Sequence, residues 1–232
     1  MQIEPIAIVR SPYKQRFGIP RQPGLVDARG TIEMLPKYND PAMLDGLGDF
    51  SHIWVSFLFH GNIDQGWKKK VKPPRLGGKK QVGVFASRSP HRPNFIGLSA
   101  LRLLKVKTTQ PPQLLVSGID LLDATPVIDI KPYVAYSDSI EDATCGYAQA
   151  VPPLSQQVIF TDAAQAVMAS RPDKDYELKL IHDVLAQDPR PPYKSSRTTE
   201  RNFGMRLGDF EIQWQVENNT TFVVAINLAD DI

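Results

Sequence analysis

The chain has 232 residues, 42% of them hydrophobic and 22% charged, and a formal net charge of +2. That is enough chain for one large domain or two modest ones, with a composition that excludes intrinsic disorder. No apolar run approaches the roughly 20 residues of a membrane-spanning helix, and one cysteine, Cys145, leaves no internal disulfide or Cys-clustered zinc site.

The N-terminus has neither the charged head nor the apolar stretch of a signal peptide, so a reduced, cytoplasmic setting is expected. In chain order, Ile3, Ile6, Ile8 and Val9 predict an opening strand, followed by a Pro/Gly-rich loop over residues 11–24. Asp40 before Pro41 offers a cap and a first-turn proline, predicting a helix over 41–47. Residues 53–59, Ile-Trp-Val-Ser-Phe-Leu-Phe, are β-branched and aromatic and too short for a helix. Further strands are predicted at 81–86, 98–107, 113–119 and 127–131. Short strands at this spacing, broken by Pro/Gly turns, point to a mainly β fold, a barrel or sandwich, over residues 1–140.

The polar stretch 135–153 ends in Val151-Pro152-Pro153 and marks the boundary of a smaller α+β domain over residues 150–232. There a strand is predicted at 156–160, with helices near 161–170 and 174–186. A closing hairpin is predicted from 209–217 and 220–228 around Asn218-Asn219.

Charge is segregated. Between Asp64 and Asp120 lie 55 residues with no Asp or Glu and twelve Lys or Arg, leaving 15 of the 27 basic residues against all 25 acidic ones elsewhere. A single lysine run reads as a solvated face; a cationic stretch of this length favours a phosphate-rich partner.

Leu76-Gly77-Gly78-Lys79-Lys80 lacks the spacing of a phosphate-binding glycine loop. The histidines form no ligand cluster by spacing; His52 and His60, eight apart on one predicted strand, would face the same side and make only a weak metal pair. No metal site is assigned. The densest chemistry lies in residues 84–99, where Pro90 and Pro93 stiffen the backbone around Arg88, Arg92 and Asn94. Rigid planar donors suit carboxylates and phosphates, although arginines in such a loop also cap carbonyls. Farther on, Asp120, Asp123 and Asp129 flank a turn. Asp120 suits a base or an acceptor for a ribose or amine, while Asp123 and Thr125 equally suit shaping the turn.

Pro20-Arg21-Gln22, Phe50-Ser51-His52-Ile53-Trp54, the segments 83–98 and 120–133, and the run from Val184 through Asp188-Pro189-Arg190-Pro191-Pro192-Tyr193 occur in this order. Together the chain resembles the TrmO (YaeB, TsaA-like) family of S-adenosylmethionine-dependent tRNA methyltransferases along nearly its whole length. The resemblance implies a non-Rossmann β-barrel catalytic domain, a homodimer, and methylation of N6 of N6-threonylcarbamoyladenosine at position 37, in the anticodon stem-loop of tRNAs reading ACN codons. It implies a cofactor site of Pro20, Arg21, Gln22, His60, Gly61, Arg88, Leu98, Gly118, Ile119, Asp120 and Leu121. For such a reaction the residues themselves offer Asp120 or a neighbouring carboxylate as the base, and Arg92 or Asn94 to hold the carbonyl or the threonyl carboxylate. Phe95 departs from a proline usual in the family, and Ala124 replaces a usual glycine, which puts a positive φ at that turn in question. Lys68, Lys69, Lys70, Lys72, Lys79, Lys80 and Arg190 are expected to meet tRNA phosphates, although Asp188-Pro189-Arg190-Pro191 also suits simple helix termination. A non-catalytic RNA-binding barrel and a methyltransferase with another substrate are the competing readings.

Overall fold

The computed structural model describes residues 2–154, 156–190 and 202–229. Its first part holds strands β1 (Ala7–Arg10), β2 (Arg29–Met34), β3 (His52–Leu58), the short pair β4 (Lys70–Val71) and β5 (Val82–Gly83), β6 (Ile96–Lys107), β7 (Gln113–Ser117) and β8 (Pro126–Pro132). Six of them close into an antiparallel barrel in the order β1-β2-β7-β6-β3-β8. Alternation builds it: Ile53, Val55 and Phe57 on β3 face Leu101 on β6 and Leu114 and Val116 on β7, all buried, while the intervening side chains point outward. Closure removes the exposed strand edges an open sheet would carry. Gly97 on β6 is dictated by packing, because a Cβ there would lie 2.3 Å from the Phe57 ring.

Two local expectations are corrected, and one strand carries no expectation in the sequence. β2 was not foreseen: its inward set is Gly30, Ile32 and Met34, and the glycine weakens the strand signal although a Cβ at that position would lie 2.9 Å from the Arg10 carbonyl. The 81–86 segment gives only β5 before tightening into a 3-10 turn, Val84–Ala86. The helix over 41–47 shrinks to one 3-10 turn, Pro41–Leu44; Asp40 does accept from the Ala42 N–H at 3.0 Å, but left-handed Gly46 (φ 76°) stops propagation.

A short helix, α1 (Ala135–Asp138), ends the barrel region. The chain continues through β9 (Gln157–Phe160), α2 (Asp162–Met168), α3 (Lys174–Ala186), β10 (Phe203–Leu207), β11 (Phe210–Glu217) and β12 (Thr220–Leu228). The second sheet runs β10-β11-β12-β9, with β9 parallel to β12. Asn218 and Asn219, both at positive φ, make the two-residue turn between β11 and β12. The two sheets share one apolar core. Phe17 from the barrel's first loop stacks on Trp214 of β11 at 6.0 Å, Gly208 N–H donates to the Pro12 carbonyl at 2.7 Å, and the Arg29 guanidinium lies 4.4 Å from the Tyr176 ring centre on α3.

Candidate active site

One end of the barrel opens into a cavity of about 640 Å³, within the range of small-ligand sites. Five separated segments wall it: residues 16–23 of the first loop, the end of β3 with the turn after it, the loop 87–92, the start of β6, and the turn 120–125. Each is a loop or strand end fixed by the closed barrel, so the cavity is built by tertiary closure. Arg88 donates to the Gln22 side-chain carbonyl, joining the first loop to the Arg/Pro loop. Gly24 N–H donates to the Gly118 carbonyl at 2.9 Å, and Gly118 (φ 74°) packs against Gly24 where a Cβ would come within 3.2 Å of its backbone.

The electrostatics are lopsided. Arg16, Arg21, Arg88 and Arg92 border the cavity against one carboxylate, Asp120. Burial pushes the Asp120 carboxyl up to about 6, while the Ser99 hydroxyl, which donates to it at 2.7 Å, and the charge of Arg88 pull the other way. The group is therefore largely ionised at neutral pH, with lone pairs left for a ligand. His60 is held below its usual range by burial, so its ring is neutral at pH 7; its Nδ1 lies 3.4 Å from the Thr125 hydroxyl. Ile19, Phe57, Leu98, Leu121 and Leu122 supply the apolar wall. A carboxylate and several guanidiniums beside an apolar wall fit a small ligand that has both charged and apolar parts.

Most of the expected site residues converge here: Pro20, Arg21, Gln22, His60, Gly61, Arg88, Arg92, Leu98, Asp120 and Leu121 all line the cavity. Gly118 and Ile119 stand one layer back, Ile119 fully inside the barrel core. Asn94 is exposed and does not line it. The Arg92 guanidinium donates to the Ser87 carbonyl at 2.8 Å and to that of Val84 at 3.4 Å, so it braces the loop as well as bordering the cavity. Sequence reasoning missed Arg16, whose guanidinium holds the Gly61 carbonyl at 3.0 Å, and Ser99, whose only signal was its place just after the Gly97-Leu98 pair.

The readings of His60 and Arg190 are corrected, and the open ones are decided. His60 lies in the 3-10 turn after β3, not on the strand with His52, which instead bonds the Ser51 hydroxyl at 2.9 Å; the paired-face metal reading falls with that register. Arg190 is not presented for phosphates: its side chain is 8% exposed, and it grips Asp188 with two nitrogens at 2.7 and 2.9 Å. Asp123 is held by Lys14 and the Ser11 N–H at the turn, and Asp129 pairs with Lys131 at 3.6 Å outside the cavity. Ala124 does adopt positive φ (60°), retaining the turn without glycine. Phe95 also does (φ 53°), a conformation closed to proline. Lys68, Lys69, Lys70, Lys72, Lys79 and Lys80 are exposed. Pro191, Pro192 and Tyr193 lie outside the described residues.

Family models described as the tRNA-methyltransferase O N-terminal domain and the TrmO C-terminal domain match residues 8–139 and 153–229. The chain is 43% identical over 218 residues to the tRNA (adenine(37)-N6)-methyltransferase of Escherichia coli K12, covering 93% of each chain. It is 45% identical over 215 residues to a putative S-adenosylmethionine-dependent methyltransferase, RcsF, of Pseudomonas aeruginosa PAO1, covering 91% of each. Its structure superposes on the crystal structure of TrmO from Pseudomonas aeruginosa with TM-score 0.79 and 37% identity, covering 98% of both chains.

Proposed function

The chain belongs to the TrmO family, an S-adenosylmethionine-dependent methyltransferase of tRNA adenine 37 by that membership, and we propose that it methylates N6 of N6-threonylcarbamoyladenosine in tRNAs reading ACN codons. The observation that carries this reading is the convergence of five distant segments on one arginine-rich cavity with a single buried carboxylate.

When bound, S-adenosylmethionine supplies an electrophilic methyl group on a charged sulfur. Arg88 and the Pro20–Gln22 loop, tied to one another, would hold its polar end, and Leu98 and Leu121 its apolar contacts. The acceptor nitrogen is carbamoyl-substituted and a weak nucleophile, so a group that takes its proton is required. Asp120, ionised above about pH 6 and fixed by Ser99, is that group in our assignment. Alignment of the methyl donor with the acceptor nitrogen in the cavity would supply much of the remaining acceleration. The excess of guanidinium over carboxylate at the cavity suits a substrate that brings both phosphates and the threonyl carboxylate.

We further assign residues 1–140 to cofactor binding and catalysis and residues 150–232 to a supporting role beside the tRNA. The protein is read as a cytoplasmic homodimer that binds the anticodon stem-loop, readings supported by the family resemblance and the cationic stretch. Among the described residues no helix is long and apolar enough to cross a membrane.

Incubation with methyl-labelled cofactor and bulk tRNA tests the assignment. Label is expected in tRNA from cells that install threonylcarbamoyl groups and not in tRNA lacking them. Equal labelling of both would overturn the substrate, and no labelling would favour a non-catalytic RNA-binding barrel.

A further inference from the structure

In the acid-free stretch the most exposed large apolar side chain is Phe85, at 78%. Scattered exposed apolar residues are ordinary; this one is unusual in how firmly its backbone is held. Val84 N–H donates to the Lys69 carbonyl at 3.1 Å, and the Val84 carbonyl accepts from the Ser87 hydroxyl at 2.8 Å. Arg92 fastens the Ser87 carbonyl at 2.8 Å, and Tyr147, arriving from the segment that leads to the second sheet, donates to the Ala86 carbonyl at 3.1 Å. The result is a rigid turn that thrusts an aromatic ring into solvent.

Its position is as telling. Ser87, Arg88 and Arg92 border the cavity while Phe85 does not, and the Arg92 guanidinium lies 5.8 Å from the Phe85 ring centre. The ring therefore stands just outside the cavity mouth. Backbone pairing of β4 with β5, and Val84 with Lys69, brings the exposed lysines 68–70 beside the same turn. An exposed ring between a guanidinium and a lysine cluster has the composition of a single-stranded nucleic-acid platform, where cations meet phosphates and the ring takes a base. A preorganised ring loses little entropy on stacking.

We propose that Phe85 is a stacking platform for an unpaired nucleobase of the tRNA loop adjoining the nucleoside that enters the cavity. This rests on the tRNA reading above and assigns the partner's contact at the rim. The ring positions the substrate and takes no part in the chemistry.

The test compares the wild-type protein with Phe85→Ala and Phe85→Trp, measuring affinity for tRNA across a salt series, affinity for S-adenosylmethionine by calorimetry, and mass by light scattering. Phe85→Ala is expected to weaken tRNA binding about five-fold to over a hundred-fold. The slope of log affinity against log salt should stay unchanged, because no phosphate contact is lost. Phe85→Trp should restore the affinity, and cofactor binding and mass should match the wild type. A combined Lys68→Gln, Lys69→Gln, Lys70→Gln variant should show the opposite pattern, a flattened salt slope. Unchanged tRNA affinity in Phe85→Ala overturns the proposal while leaving the methyltransferase reading intact. A changed mass also overturns it, because the ring would then belong to a subunit interface. Failure of the wild type to bind tRNA at all would instead remove the reading on which the proposal stands.

Discussion

Asp120 shows how burial sets both the use and the cost of a side chain. With its carboxyl pushed up to about 6, activity that depends on the ionised form should fall below that pH with a slope of one proton. Ser99→Ala removes the hydroxyl that favours the charged form, so the acidic limb should move to higher pH, and Asp120→Asn should lose the reaction; pH–rate profiles of kcat/KM decide both. The same shift has a stability consequence. The folded-state pKa lies above the unfolded one, so the protonated carboxyl favours the fold below the unfolded value, and that contribution is lost as pH rises through the folded value. Asp120→Asn is therefore expected to melt at a higher temperature than wild type at pH 8 and to lose that advantage at pH 4, measurable by calorimetry. At the neighbouring β6 position, Gly97→Ala drives a methyl into the Phe57 ring and should cost about 1–3 kcal/mol in chemical denaturation.

At the scale of elements, the residues after α3 illustrate a motif whose role is structural. Asp188 adopts φ 47° just past the helix, and its carboxylate takes the Arg190 fork in a nearly buried pair while that guanidinium also faces the Phe203 ring at 5.7 Å. Removing one partner strands the other's charge, so Arg190→Ala should destabilise the fold by about 3–5 kcal/mol. Arg190→Lys should rescue little, because an ammonium cannot reproduce the two-point grip. Its salt slope for tRNA binding should match the wild type, in contrast with neutralisation of Lys68–Lys70. The lysines were legible from composition alone, since an acid-free stretch has no internal partners to hide them. The burial of Arg190 was not, because that depends on which face of α3 and β10 closes over it.

At the scale of the whole molecule, the barrel and the second sheet share one apolar core, with Phe17 against Trp214 and Tyr13 bridging to Leu207. The chain is expected to unfold in a single cooperative transition, with calorimetric and van't Hoff enthalpies that agree; two separate transitions would show that the sheets are energetically independent. Phe17 leads into the loop that carries Pro20, Arg21 and Gln22, so docking of the second sheet also steadies one wall of the cavity.

The mainly β character was legible in the residues alone, since alternation in residues 53–59 and 98–107 states which side chains must be buried whatever closes around them. So were the cationic stretch and the stiffened Arg/Pro segment, properties of composition and of proline geometry that need no fold. The residues alone did not show β2, whose glycine is explained only by the Arg10 carbonyl and Ile119 packed against it, nor the displacement of His60 from the strand of His52 into a turn. Nor did they place Asp120 beside Ser99 in the dark of a cavity. Closure of the barrel did that, because desolvation is a property of everything surrounding a group, and those surroundings arrive from segments as far apart as residues 16 and 125.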